Sequence, residues 1–428
     1  MARGPPPPGL VRPRHRVTRV ADAADDRTLE PLLKEHGPRV LAVLVRRGAE
    51  FAAAEDAVQE ALIEALGRWP DRMPRDPFAW LVTVAWRKYL DAHRSQTARH
   101  RREQAELDEP PPGPTEQSDD TLRLLFLCCH PALTSSSAVA LTLRAVGGLT
   151  TRQVAEAYLV PEATMAQRIS RAKRTVAAEG LSGPGDLGRV LRVLYLIFNE
   201  GYGGEVDLAA EAIRLTRELV AQAPEPEVAG LLALMLLHHA RRASRFAGDG
   251  GLVTLAEQDR GRWDTDLIRE GIGILQDALA RDRLGEFQVQ AAIAALHADA
   301  PTADETDWVQ IVEWYDELTV LTDSPVVALN RAVAVGEADG PQAGLRALAD
   351  VPPVPRRTAA EAHLRERAGE ATIAAELYVV AAREATNVAE RDHLTRQAAR
   401  LRGVASDQSA GVDQRAASGQ GAADPDLT

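Results

Sequence analysis

The sequence has 428 residues, 45% of them hydrophobic and 26% charged, which is the composition of a soluble globular protein with room for several domains. The formal net charge of −12 excludes a protein that coats nucleic acid over its whole surface, so contact with nucleic acid would need a local basic surface. The two cysteines, Cys128 and Cys129, are adjacent, and no long apolar run or signal-peptide pattern is present, which predicts reduced core thiols, no metal or cofactor site and a cytoplasmic chain.

The N-terminal part of the sequence passes from a tail into helices. Residues 1–24 are rich in proline and arginine, which predicts a flexible basic tail. Helical periodicity begins near Arg27, and a second helix is predicted over 53–69. Its outer face is predicted to be acidic, with Glu55, Asp56, Gln59, Glu60 and Glu64. A face of this kind is usually solvated surface.

A third helix, predicted over 78–94, concentrates positive charge. Phe78, Val82, Ala85 and Tyr89 form its apolar stripe. The polar side carries Thr83, Arg87, Asp91 and Arg94, and Lys88 adds to the charge. Trp80 fits the core, whereas Trp86 fits either the core or a stacking surface for unpaired bases. Residues 98–120, with several prolines and acidic residues, then predict a linker.

The stretch 149–176 predicts a helix-turn-helix. Thr150 and Gln153 have capping-box spacing, and Val160-Pro161 separates two helices. In the second helix an apolar stripe is formed by Met165, Ile169, Ala172 and Val176. The opposite face offers donors for base edges and phosphates, namely Gln167, Ser170, Arg171 and Arg174. The alternative is an ordinary helical hairpin with solvated arginines.

The C-terminal half predicts further helices over 187–198, 208–221, 227–246, 265–281, 287–298, 308–321 and 325–335. Gly336-Glu337-Ala338 recurs as Gly369-Glu370-Ala371, which suggests stacked helical hairpins. The glycines after Asn199 favour a helix cap over a ligand loop, and His238-His239 favours helix-end histidines over a metal site. Residues 405–428 predict a disordered tail.

The order of these patterns resembles a bacterial RNA polymerase sigma factor of the extracytoplasmic-function (ECF) class. The block from Ala54 to Leu62 is similar to the region 2 helix that docks on the polymerase clamp, which implies polymerase contacts by Glu55, Asp56, Gln59 and Glu60. The blocks from Ala79 to Arg94 are similar to the helix that reads the −10 element, which implies contacts by Thr83, Trp86, Arg87, Lys88, Asp91 and Arg94. The helix-turn-helix matches region 4, which implies −35 contacts by Thr164, Gln167, Arg168, Ser170, Arg171, Lys173 and Arg174.

The C-terminal half indicates which group of these sigma factors the sequence resembles. The block from Val190 to Tyr202 is similar to the start of a long extension in one group of these factors, which ends in tetratricopeptide-like (TPR) repeats. An all-α chain is implied, with region 2 over 25–97, the linker over 98–120, region 4 over 121–179 and the TPR-like extension over 186–404.

We therefore expect a sigma factor, not an enzyme, that binds core RNA polymerase through the β′ clamp and the β subunit. It would recognise promoter DNA both as duplex and as melted strand, and start transcription. The extension would regulate it, either by packing on the DNA-binding domains or by binding a regulatory protein. The alternatives are a TPR-containing regulator that binds operator DNA without replacing sigma, and an enzyme in the C-terminal half.

Overall fold

The computed structural model describes residues 22–100, 118–158, 160–179, 186–200, 207–248 and 251–419. Regular structure in these ranges is helical, and their one β feature is an isolated bridge between Phe246 and Leu252. The all-α prediction is confirmed. Within the described ranges, no helix combines the length and apolarity needed to cross a bilayer. The chain divides into two compact units, which comprise Met1–Val193 with Gly204–Val206, and Leu194–Gly203 with Asp207–Thr428.

The first unit begins with three helices that we call module A. They are α1 (Asp22–Arg46), α2 (Phe51–Arg68) and α3 (Pro77–His100). The Glu50 carboxylate caps α2 by accepting hydrogen bonds from the amides of Ala52 and Ala53, at 3.0 and 2.9 Å. Small buried residues on α2 let its neighbours approach closely, and the module's core contains Val40, Leu44, Ala54, Ala61 and Leu81.

The same unit continues with four helices that we call module B. They are α4 (Ser118–Cys128), α5 (Ser135–Ala145), α6 (Thr151–Ala157) and α7 (Glu162–Glu179). Helix α5 is buried along most of its length and forms the centre of the module. Cys128 and Cys129 are buried free thiols as predicted, and burial raises the pKa of Cys129 to about 12. Modules A and B pack on each other through α1 with α4 and α2 with α7.

The division between the units falls within α8 (Leu187–Glu200). The second unit continues with α9 (Leu208–Gln222), α10 (Pro226–Ala240), α11 (Thr265–Leu279), α12 (Glu286–Asp299), α13 (Trp308–Thr322), α14 (Pro325–Ala338), α15 (Pro341–Ala349), α16 (Arg357–Arg367), α17 (Ala371–Glu384) and α18 (Val388–Gly419). From α9 to α18 each helix packs on the next along the chain. This serial packing agrees with stacked hairpins.

Three predictions for the second unit differ from the structure. The helix predicted over 227–246 ends at Ala240 and is followed by a separate short 3-10 helix, Arg242–Ser244. The repeated tripeptide is not in structural register, because Gly336 lies inside α14 whereas Gly369, with φ 80°, lies in the turn before α17. The turn glycine that corresponds to Gly369 is Gly340, with φ 91° before α15. Composition predicts disorder from Ala405, but α18 continues to Gly419.

Several predicted segments lie outside the described residues in whole or in part. The basic tail is described only from Asp22, and residues 101–117 of the linker and 420–428 of the C-terminal tail are not described.

Candidate nucleic-acid and polymerase interface

The predicted helix-turn-helix is present in module B. The Thr150 hydroxyl accepts from the amide of Gln153 at 3.1 Å, and the Thr150 amide donates to the Gln153 side chain at 2.9 Å, so the capping box is complete. Helix α6 ends at Ala157, and the carbonyl of Pro161 accepts from the amide of Thr164 at 2.9 Å at the start of α7. The predicted capping box and turn are therefore confirmed.

Helix α7 has one buried face and one polar face. Its buried residues are those of the predicted stripe, namely Met165, Ile169, Ala172 and Val176. The exposed predicted residues are Thr164, Gln167, Ser170, Arg171 and Arg174, whereas Arg168 and Lys173 are half-buried. Thus most of the donors predicted for the −35 element lie on the solvent side of one helix.

Helix α3 presents a second polar face. Thr83, Arg87, Asp91 and Arg94 are exposed as predicted. Lys88 is half-buried, and its ammonium group lies 3.1 Å from the Glu64 carboxylate and 3.6 Å from that of Glu60 on α2. The hydrogen bond to Glu64 raises the pKa of Lys88, so this cation is paired within module A.

Aromatic side chains line α3 beside this face. Trp86 is half-buried, with the guanidinium of Arg47 5.5 Å from its ring centroid and Tyr89 at 5.4 Å. The ring of His93 follows 6.0 Å from Tyr89. Trp80 makes an edge contact with Trp69 at 5.5 Å, in agreement with a packing role. Trp86 therefore lies half-buried in a row of rings, with the Arg47 guanidinium over its own ring.

The acidic face of α2 differs from the prediction at one residue. Asp56 and Glu60 are exposed and Gln59 is half-buried, but Glu55 is buried, with an exposed fraction of 3%. Its carboxylate lies 3.0 Å from Nε of Arg144 on α5 and contacts the ammonium group of Lys173 on α7. The prediction that Glu55 is on the solvent side is wrong, because module B covers that side of α2 and supplies two cations that neutralise the carboxylate.

A groove runs along α2 next to this ion cluster. It encloses about 350 Å³ and is lined by residues of α1, α2 and the connection from α5 to α6. Gln59 is among the lining residues, and so are Ile63, with an exposed fraction of 68%, and Leu66. These two apolar residues were missed by sequence reasoning. The sequence pattern that could have revealed them is that they are apolar but lie outside the stripe formed by the buried alanines of α2.

Polar residues of the second unit mostly serve its own structure. The Asp259 carboxylate accepts from the amide of Gly261 at 3.0 Å, and Asp264 caps α11. Arg260 donates to the carbonyl of Ala300 at 2.7 Å. His238 and His239 lie at the end of α10, as predicted. In the described part of the chain no group of three metal-ligating side chains comes together.

Comparison with known proteins agrees with this geometry. A model of sigma-70 region 2 matches residues 32–99, a model of sigma-70 region 4 matches 123–176, and a family of unknown function, DUF6596, matches 186–279. The region 2 match thus lies in module A and the region 4 match in module B.

Two curated relatives also match. The uncharacterised protein R00370 of Rhizobium meliloti (strain 1021) is 44% identical over 336 residues, which cover 72% of this chain and 79% of the relative. The ECF RNA polymerase sigma factor SigJ of Mycobacterium tuberculosis (strain ATCC 25618 / H37Rv) is 32% identical over 167 residues. That match covers 36% of this chain and about half, 51%, of SigJ. No solved structure gives a significant match.

The two matched regions lie in the predicted order, each contains one of the polar helix faces described above, and a C-terminal region follows them. The chain therefore contains sigma-70 regions 2 and 4 followed by a C-terminal extension, which is the organisation of an ECF-like sigma factor.

Proposed function

We propose that this chain joins core RNA polymerase in the cytoplasm, directs it to a promoter with two separate DNA-binding surfaces, and helps to open the DNA. The observation that supports this most is the pair of exposed basic helix faces, one on α3 in module A and one on α7 in module B. They explain how a chain with a net charge of −12 would bind DNA locally. We assign region 2 to 25–97, region 4 to 121–179 and the extension to 186–404.

Helix α7 is the proposed reader of the −35 element. An α-helix fits the major groove, where arginine and glutamine side chains form bidentate hydrogen bonds with base edges. Gln167, Arg171 and Arg174 are exposed on one face and are the principal candidates. Thr164 and Ser170 extend this face, and the half-buried Arg168 and Lys173 flank it. Cations that contact phosphates would fix the register of the helix on the duplex.

Helix α3 is the proposed reader of the −10 element and the site of strand opening. Arg87 and Arg94 would attract the backbone, while Thr83 and Asp91 offer groups for base edges. Stacking of an unpaired base on an aromatic ring stabilises a melted strand. The ring face of Trp86 would provide such a surface once the Arg47 guanidinium over it is displaced, and Lys88 would reach DNA after exchanging its carboxylate partners on α2.

Polymerase binding is assigned to α2. We propose that Asp56, Gln59 and Glu60 contact the β′ clamp, and that module B contacts the β subunit. Ile63 and Leu66 are exposed beside the acidic residues and would add apolar area to the contact. Glu55 takes part only if it leaves Arg144 and Lys173.

The extension is the proposed regulator, and it would act either by packing on the DNA-binding modules or by receiving a regulatory protein. No covalent chemistry is assigned to the chain. Binding energy is used to position polymerase and to hold unpaired bases.

Transcription from purified components tests the proposal. Core polymerase, the full chain and a genomic promoter library should yield promoter-specific transcripts, and Arg171→Ala should reduce them. Arg217→Ala is the matched control, because Arg217 is paired with Glu270 in the second unit. Specific DNA binding without any initiation would refute the sigma proposal and support an operator-binding regulator.

A further inference from the structure

The second unit contains a cavity that no part of the proposed function uses. It encloses about 480 Å³ and is lined by residues of α8, α10, α12, α13 and α14. Sites for small organic molecules have volumes of this order. Its lining residues lie within the second unit alone.

The walls of this cavity carry a cluster of neutral hydrogen-bonding groups. Burial lowers the pKa of His297 to about 4 and lowers that of His238 well below its usual value. Burial raises the pKa of Tyr315 to about 12 and also raises that of Tyr195. At neutral pH the cavity therefore offers two uncharged imidazoles and two phenol hydroxyl groups.

Charged side chains line the cavity or act on its histidines. Arg241 lines it, and after burial the guanidinium groups of Arg241 and Arg245 are the next causes of the low pKa of His238. Arg260 contributes in the same way at His297, whose carbonyl accepts a hydrogen bond from it at 2.5 Å. The lining carboxylate, Glu286, accepts from the Gln290 side chain at 3.0 Å. The lining thus contains one guanidinium group and one carboxylate, and Arg245 and Arg260 act on the lining histidines.

Aliphatic side chains also line the cavity, each one helical turn from one of its polar groups. Leu234, Ile293 and Leu318 are buried residues that line it, and Val327 is half-buried. A polar cavity of this size holds either ordered water or a ligand. The aliphatic side chains among the polar groups favour a ligand with an apolar body, since water gains nothing from such a surface.

We propose that this cavity binds a small organic carboxylate, with its anionic group towards Arg241 and its apolar body on Ile293 and Leu318. Both ends of such a molecule are matched, because an arginine provides a fork of donors suited to a carboxylate and the aliphatic side chains cover the rest. The proposal stands whether or not the extension regulates transcription.

Calorimetry and thermal shift on the full chain test it. The probes are hexanoate and phenylacetate, each paired with its neutral amide of the same shape. Both carboxylates should bind, and each should bind about tenfold more tightly than its amide, because hydrogen bonds to charged groups are stronger. Absence of binding by both carboxylates at millimolar concentration, or equal affinity for acid and amide, would overturn the proposal.

Variants locate the site. Arg241→Gln should remove the preference for the carboxylate, and Ala294→Phe, which places a ring in the cavity, should abolish binding of all probes. Arg217→Gln is the control, because it removes a guanidinium from an ion pair with Glu270 that does not line the cavity. If Arg241→Gln fails to fold, Ala294→Phe and the comparison of acid with amide still test whether the cavity binds a carboxylate. Binding that survives in Ala294→Phe would place the ligand elsewhere and refute the assignment.

Discussion

The ion cluster between modules A and B supports a quantitative prediction. Glu55 is buried and faces two cations, Arg144 at 3.0 Å and Lys173. The change Glu55→Gln removes the anion and leaves both cations close together. Removal of one partner from a buried ion pair costs about 3–5 kcal/mol, since the remaining charge stays desolvated. The side chains of Arg144 and Lys173 retain exposed fractions of 15% and 16%, so partial rehydration places the loss near the lower limit.

Thermal unfolding measures this loss. For a unit of this size 1 kcal/mol corresponds to roughly 2–4 °C, so the Tm of the first unit should fall by about 6–12 °C. Asp56→Asn is the matched control, because Asp56 is exposed on the same helix and its change should cost less than about 0.5 kcal/mol. In a double-mutant cycle, Lys173→Met should recover part of the loss because it removes one of the uncompensated cations. Equal Tm values for Glu55→Gln and Asp56→Asn would refute the reasoning.

The same variant has an effect on DNA binding. Lys173 is paired with Glu55, and Glu55→Gln frees its ammonium group for a phosphate. Each added phosphate contact steepens the dependence of log K on log salt by about 0.9 on duplex DNA. We therefore expect tighter binding of a −35 duplex at low salt, with a slope steeper by that amount. A lower Tm with an unchanged slope would show that Lys173 serves only the packing of the modules.

Three further predictions concern single side chains. Arg171→Ala should weaken duplex binding and reduce the salt slope by about 0.9, and equal slopes would show that this face does not meet DNA. Gly285→Ala should destabilise the second unit by about 1–3 kcal/mol in chemical denaturation, because the added Cβ would displace the Glu227 carboxylate and break the hydrogen bond that it accepts from the amide of Phe287 at 2.7 Å. Gly273→Ala, with open space around it, should instead stabilise the unit by about 0.5–1 kcal/mol. The pKa of His297 is lowered from 6.5 to about 4, so the unfolded state binds the extra proton in this range and Tm should decrease as pH falls from 6.5 to 4. That decrease should be smaller in His297→Gln, and an identical pH profile would contradict the reasoning.

Local sequence signals predicted the local structure. The capping box of Thr150 with Gln153 depends on residues three positions apart, so spacing was sufficient to find it. The stripe of α7 from Met165 to Val176 was likewise predicted, because a helix that packs on one side shows a period of 3.6 residues. The exposed side of α3 followed from the same rule.

Features that depend on distant parts of the chain were not predicted. The burial of Glu55 is completed by a helix that lies more than a hundred residues away in sequence. Its spacing from the buried Phe51 and Val58, four and three residues away, places it beside the apolar face of α2, and that signal was not used. The cavity of the second unit is formed by five helices. Of its two histidines, His238 was interpreted with His239 as a helix-end residue, and His297 was not singled out. The repeated tripeptide was misleading because the same three residue types lie inside a helix at Gly336 and in a turn at Gly369.

The position of Glu55 also links the two proposed binding events. In the structure, Lys173 neutralises Glu55, so a phosphate that takes Lys173 leaves the carboxylate with Arg144 alone. A polymerase surface that takes Glu55 leaves Lys173 without its anion. Each exchange alone is costly, because it leaves one buried charge without its partner. When DNA takes Lys173 and polymerase takes Glu55, both side chains have new partners. Only Arg144 must then be rehydrated or paired elsewhere. Because the two binding events share the ion pair of Glu55 with Lys173, binding of polymerase changes the affinity for DNA by the same factor as DNA changes the affinity for polymerase. Promoter affinity should therefore be higher in the complex with polymerase than in the free chain, and Glu55→Gln should reduce that difference because it has already released Lys173.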